Sequence, residues 1–276
     1  MNVFRTLSYL VCAIGLTASG GAQAQTGLQN QELLEKSGIV HQVIALPAVM
    51  ASGIDLARQQ GTAINEKFAK AWRDVTPVAY RAEIILHAMD QGLQKLLTAE
   101  DKKQLLAYYN SPLGKRTSEL EKAASDPRIQ TEIAAFAQKP AAFADRVALY
   151  KQLDEAVGGT ETQVAMLTNM SLAIQVGMFT ASQGPGKVNV DALKAELEKN
   201  RPALAKQLEG QIVASFAYIY RSLSKEEINA YLKVIKSPAG QKFNRGGAKI
   251  LSDAMTTQAK ELGQLLFKAL QTGKPS

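Results

Sequence analysis

Leu97-Thr98-Ala99-Glu100-Asp101, running on to Ser111-Pro112-Leu113-Gly114-Lys115, is matched by Leu223-Ser224-Lys225-Glu226-Glu227, running on to Ser237-Pro238-Ala239-Gly240-Gln241-Lys242. The two stretches align without a gap at a spacing of 126 residues (237 minus 111). Each reads as a helix, a tight turn and a second helix. Ser224 followed three positions later by Glu227 is a capping box, in which hydroxyl and carboxylate each satisfy a backbone N–H at the helix start; Thr98 with Asp101 is the looser counterpart. Ile228, Tyr231, Leu232 and Ile235 then keep the i, i+3, i+4, i+7 spacing of one apolar helix face. The first copy keeps Leu105, Leu106 and Tyr109 but has Lys102 where the stripe begins. Ser111 and Ser237 fit N-caps, with Pro112 and Pro238 at the first helical position, where a missing N–H costs nothing. Gly114 and Gly240 fall inside the new helix, where glycine costs about 1 kcal/mol relative to alanine. Close backbone approach to a neighbouring helix is the expected reason, and residues 97–124 are expected to superpose on 223–250.

Outward from the hairpins, the chain reads as helix nearly throughout. Glycine and proline concentrate at punctuation points, alanine and leucine are frequent, and runs of alternating β-branched residues are absent. Leu28 to Lys36 is a short helix stopped by Ser37-Gly38, and Pro47 marks a kink or break in the next one. Ile64, Phe68, Ala71, Trp72 and Val75 form an amphipathic stripe before Thr76-Pro77 opens another helix leading to the first hairpin. Beyond it, Asp126-Pro127 is a further cap and N1 pair, and Lys139-Pro140 closes the unit. The second unit stops at Gly158-Gly159 as the first does at Gly38, at an offset of 120 (158 minus 38). The missing six residues correspond to the breaker-rich insertion Gln183 to Val188. Asn189 caps the helix after it, and Arg201-Pro202 begins the next. The predicted fold class is all-α: two tandem, diverged helical-bundle units over 25–139 and 140–270, each with one capped hairpin, and a frayed tail over 271–276.

These hairpins carry a resemblance. Leu-Ser/Thr-x-Glu-Asp/Glu, an aromatic and aliphatic helix, then Ser-Pro-x-Gly, resembles the characteristic stretch of the bacterial domain-of-unknown-function family 2059 (DUF2059), here in two copies of about 30 residues each. Leu33 to Gly38 and Leu153 to Gly158 are similar to the leader before that stretch. The resemblance implies a helical fold and export, and brings no catalytic residue with it. The first copy departs from the pattern at Lys102, and the second has Gln241 before its lysine.

Export is also read directly. Met1 to Ala24 has a short n-region with Arg5, an apolar run from Leu7 to Leu16 and the small-residue site Ala22-Gln23-Ala24, so cleavage is expected after Ala24. Cys12 lies within that run, is not preceded by the small residues of a lipoprotein signal, and is the only cysteine, so the mature chain would have no thiol and no disulfide. No later run of about 18 apolar residues is read as a membrane span. The expected location is the periplasm, with secretion beyond the cell as the alternative. The net charge of +7 lies mostly in the second half; with few aromatics and an export signal it argues against nucleic acid and for an envelope protein or anionic envelope component as partner.

No residue constellation in the sequence converges on catalysis, a metal or a cofactor. His41 and His87 lie on different helices with no second histidine one turn away. Ser111 and Ser237 lack the glycine-flanked setting of a nucleophile elbow. Glu100-Asp101 and Glu226-Glu227 sit in first helical turns, where the helix dipole accounts for them. Met166, Met170 and Met178 read as adaptable core, and Gly184-Pro185-Gly186 as a loop. One site expectation remains: Lys115, Arg116, Lys242 and Arg245 lie near the positive end of the second hairpin helices, where a bound anion would offset their charge. The reading is a non-enzymatic binding or interaction module of the envelope; the alternative is a peptidoglycan or glycan hydrolase whose carboxylates meet only in the fold.

Overall fold

The computed structural model describes residues 21–272 apart from 60, 125 and 185, so the leader up to residue 20 and the tail from 273 lie outside the described residues. The chain is all-α, with no strand among the described residues. In order the helices are α1 (Gly21–Lys36), α2 (Ile39–Gln59), α3 (Glu66–Ala79), α4 (Ala82–Leu96), α5 (Ala99–Asn110), α6 (Pro112–Ala123) and α7 (Pro127–Ala137), then a 3₁₀ segment (Pro140–Arg146). After it come α8 (Val147–Val157), α9 (Gly159–Gln183), α10 (Val190–Lys199), α11 (Arg201–Ile219), α12 (Lys225–Lys236) and α13 (Pro238–Gln241), a π turn (Lys242–Gly246), and α14 (Gly247–Thr272).

Both hairpins form by the local chemistry named above. Thr98 and Ser224 cap α5 and α12 at φ, ψ of −72°, 165° and −71°, 164°, each completing its capping box. Ser111 and Ser237 both end one helix and cap the next, their side chains accepting from the N–H of Gly114 and Gly240. Those glycines are explained by a nearer neighbour than expected. A Cβ on Gly114 would stand 2.0 Å from the Tyr108 carbonyl oxygen, and one on Gly240 2.1 Å from that of Val234. The obstacle is the last turn of the hairpin's own first helix, so the glycine permits the fold-back itself. The two hairpins differ just afterwards: α6 continues as regular helix, whereas the second hairpin takes one π turn before α14.

Pro77 does not open a helix as the sequence suggests, and Pro47 does not break one: they lie inside α3 and α2. Packing outweighs the lost ladder bond there. The buried Trp72 indole donates to the Met50 carbonyl at 2.7 Å, tying α3 to α2, and the Thr76 hydroxyl donates to the Trp72 carbonyl at 2.6 Å. A second correction concerns α9, which is long and apolar enough to cross a membrane by length and composition, although no such run is read in the sequence. Of its most apolar 18-residue window, 44% is buried, and the helix lies along α14. A Cβ on Gly177 would meet the Lys260 carbonyl at 2.2 Å, and one on Gly263 the Ile174 carbonyl at 2.1 Å, so these two backbones touch. The residues 29–36 and 39–55 meet the same length and composition test only jointly, across a 61° bend.

The two sequence halves share their cores. One core takes Leu33, Trp72, Ile85 and Met89 from α1 to α4 together with Met170 of α9 and Leu262 of α14. The other takes Tyr150, Val213, Ile228 and Ile235 from α8, α11 and α12, with Leu113, Leu120 and Phe136 of α6 and α7 packed against it. The late helices α9 and α14 thus complete the early core, and α6 and α7 complete the late one.

Reciprocal ion pairs sit where the hairpins meet. Lys242 Nζ donates to Asp101 Oδ2 at 2.6 Å, and Arg116 Nη1 donates to Glu227 Oε1 at 2.7 Å. Asp101 and Glu227 are equivalent positions (227 minus 101 is 126), as are Arg116 and Lys242 (242 minus 116). Each capping acid therefore holds the other hairpin's cation. Lys242 above all, with help from Thr98, holds the Asp101 carboxyl down at about 2. Its contribution to stability is full above the ordinary 3.8 and is lost as pH falls through about 2.

Two measurements check this account. Gly240→Ala should lower unfolding free energy by about 1–3 kcal/mol in urea, as overpacking does. Gly210→Ala, on an exposed part of α11 with nothing within 4 Å of the new Cβ, should raise it by up to about 1 kcal/mol; loss of stability at both sites alike would remove the steric explanation. In double-mutant cycles, Asp101/Lys242 should couple by about 1 kcal/mol or more and Arg116/Glu227 by less, because surface pairs are worth little and the acid's side chain is 11% exposed in the first pair and 35% in the second. Equal couplings would show that burial does not rank the two.

Candidate functional site

A cavity of about 300 Å³ lies between the cores, lined from α2, α4 to α9, α11, α12 and the π turn with α14. Its wall is mostly aliphatic and aromatic, which suits a pocket for a small organic molecule. The cavity exists because the halves interleave: α6 brings Glu121 into the late core, while α2 brings Gln42 alongside α9 and α11.

Glu121 is the chemical centre. Its Oε1 accepts from the Tyr220 hydroxyl at 2.7 Å and from the Tyr231 hydroxyl at 2.9 Å. The residue keeps some exposed surface and lines the cavity, yet its carboxyl is enclosed. Burial pushes it up to about 6, against the lowering effect of the two tyrosine bonds. The tyrosines form a connected set: Tyr231 stacks on Tyr108 with centroids 5.6 Å apart and meets Tyr220 edge-on at 5.7 Å. Burial raises Tyr108 and, further, Tyr231, so both hydroxyls remain protonated donors across the ordinary pH range.

The remaining polar groups on the wall are uncharged. Gln42 is 5% exposed and its Oε1 has no hydrogen-bond partner, and the buried Gln211 Oε1 has none either. Buried amide oxygens normally have a partner, so two facing one cavity mark positions where a guest's donors would be accepted. Phe243 and Asn244 of the π turn also line the space, and π insertions in helices recur at functional sites.

The four cations singled out in the sequence are elsewhere. Arg116 binds Glu227 and the Ser222 carbonyl, Lys242 binds Asp101, and Arg245 binds Glu161, Gln241 and the Glu155 carbonyl. Oxygens of the chain itself thus surround three of them, Lys115 is exposed, and none lines the cavity. His41 and His87 are exposed on α2 and α4, the latter 2.9 Å from the Gln91 amide nitrogen. Met166 lines the cavity while Met170 and Met178 belong to the early core. Sequence reasoning missed Glu121. Its one signal was position: Gly114, Thr117 or Ser118, and Glu121 keep helical spacing, so an acid continues the buried face of α6.

Residues 85–139 match the model of a family described as uncharacterized protein conserved in bacteria (DUF2059). The matched segment contains the first hairpin and Glu121, and it stops short of the second hairpin. No curated protein and no solved structure matches the chain.

The carboxyl predicts a pH effect. Its folded value of about 6 lies above the ordinary 4.5, so the folded state holds the proton more tightly than the unfolded chain. Its contribution is therefore greatest below about pH 4.5 and declines as pH rises through about 6. Between those limits the wild type should lose about 2 kcal/mol relative to Glu121→Gln, at about 1.4 kcal/mol per unit. Parallel stability curves for the two proteins would mean that the carboxyl is not enclosed.

Proposed function

We propose that the protein is an exported, non-enzymatic binding module of the bacterial cell envelope, and that the cavity between its cores holds a small, largely apolar ligand. The observation that carries the reading is the cavity itself, an apolar space with a single acid and unpartnered amide oxygens on its wall. Export rests on the leader pattern of Met1 to Ala24, with periplasmic release after cleavage. The family match is consistent with a protein of bacteria and adds no activity. A glycan hydrolase working by two carboxylates needs a second acid a few ångströms from the first. Among the described residues of this wall Glu121 is the only acid, which favours binding over hydrolysis.

The test uses the mature chain recovered from the periplasm of its host. Intact mass should correspond to Gln25 through Ser276. N-phenyl-1-naphthylamine, an apolar probe whose emission rises on transfer out of water, should bind to it saturably. Ser215→Phe, which places a ring in the cavity, should weaken that binding about tenfold or more while the helical circular dichroism is retained. Absence of saturable binding by the wild type, or equal binding by a folded Ser215→Phe, would remove the cavity as the binding site; a mass still including Met1 to Ala24 would remove the export reading.

A further inference from the structure

The polar groups on the cavity wall divide into those the protein itself engages and those it does not. Glu121 is held by Tyr220 and Tyr231. The Ser215 hydroxyl donates to the Gln211 backbone carbonyl at 2.8 Å, and the Asn244 amide to the Gly240 carbonyl at 2.8 Å. The side-chain oxygens of Gln42 and Gln211 have no partner. Both glutamines interrupt apolar helix faces: Gln42 shares the buried side of α2 with Val43, Leu46 and Met50, and Gln211 stands between Leu208 and Ile212 on α11. An enclosed amide oxygen without a donor lowers stability, whereas an apolar side chain of the same size would not. The wall therefore keeps two acceptors that the fold itself does not use.

We propose that Gln42 and Gln211 are the specificity-determining residues of this cavity, and that they select a mainly apolar molecule bearing a hydroxyl or amide N–H over one that has no hydrogen-bond donor. The proposal rests on the cavity being a binding site and adds the class of ligand and the two residues that read it. A volume of about 300 Å³ lies within the range of small-molecule sites. The terminal torsion of glutamine is broad, so each oxygen turns toward a guest from its place on the wall. Selection then follows from an asymmetry. A guest that replaces water without bringing a donor leaves both acceptors unmet, whereas an alcohol or amide supplies the bond. A site built to hydrogen-bond its guest rejects an analogue lacking the donor more sharply than an apolar wall distinguishes one methylene.

The experiment is competition against N-phenyl-1-naphthylamine on the mature chain by two isomers, octan-1-ol and heptyl methyl ether. Each carries one oxygen acceptor on a chain of the same composition, and only the alcohol carries a donor. In the wild type the alcohol should displace the probe at about three- to tenfold lower concentration than the ether, the size of one hydrogen bond. In the double variant Gln42→Met/Gln211→Met, which keeps side-chain length and removes both acceptors, the isomers should compete within about 1.5-fold of each other. The melting temperature of that variant should not fall, because the oxygens removed have no partner. A wild-type preference below about twofold, a preference retained by the folded double variant, or a lowered melting temperature would each overturn the proposal. Saturable probe binding without preference for the alcohol would sink this inference alone; absence of saturable probe binding would sink the cavity reading beneath it and this inference with it.

Discussion

The structure depends on the reciprocal contact between its two hairpins. Asp101 and Glu227 are first needed at home, closing the capping boxes of α5 and α12. Each then holds a cation delivered by the other hairpin's second helix, Lys242 or Arg116. Tyr108 of the first hairpin also stacks on Tyr231 of the second, with the ring planes 6° apart. An exposed ion pair by itself contributes little. Here two pairs and an aromatic stack fix one relative placement of four helix ends, and that placement sends α6 into the late core and α13 against α5.

The exchange of helices has consequences for folding and for the site. Closing the early core requires α9 and α14, which follow it by well over a hundred residues of sequence for most contacts, so the chain pays a larger loop-closure entropy than two self-contained bundles would. The compensation is burial on a single connected body. Apolar helices such as α9, poorly suited to a water-facing position, gain a partner at glycine-to-backbone distance along α14. Where the two cores adjoin, neither fills the space completely, and the cavity occupies that seam.

What was legible in the sequence was local. Caps and Ser-Pro turns depend on residues a few positions apart, and both are present at the positions read; the glycines of the fold-back answer to the hairpin's own first helix instead of a neighbouring one. Helix continues through Pro47 and Pro77 because a proline's local penalty of about 3 kcal/mol can be overcome by packing from elsewhere, here through Trp72 and Met50. The interleaving was not legible. Apolar stripes on α6 or α14 state that a face is buried without naming what buries it. Glu121, between Leu120 and Lys122, reads like any helix charge until Tyr220 and Tyr231 arrive from a hundred positions later.

The two hairpins contribute differently to the cavity wall. The position equivalent to Glu121 is Gly247 (247 minus 121 is 126), at the first residue after the π turn, and it too lines the cavity. One hairpin thus places an acid on the wall, and the position 126 residues later has a glycine. The π turn immediately before Gly247 shifts the register of the second copy and brings Phe243 and Asn244 to the same wall. Two carboxylates at the equivalent positions would share an apolar space and repel, and one would have to remain protonated. With glycine at the second position, the single carboxyl can ionise near neutrality with two tyrosine donors to support it. Both hairpins therefore serve as scaffold, while among the described residues of the wall only the first carries a charged group.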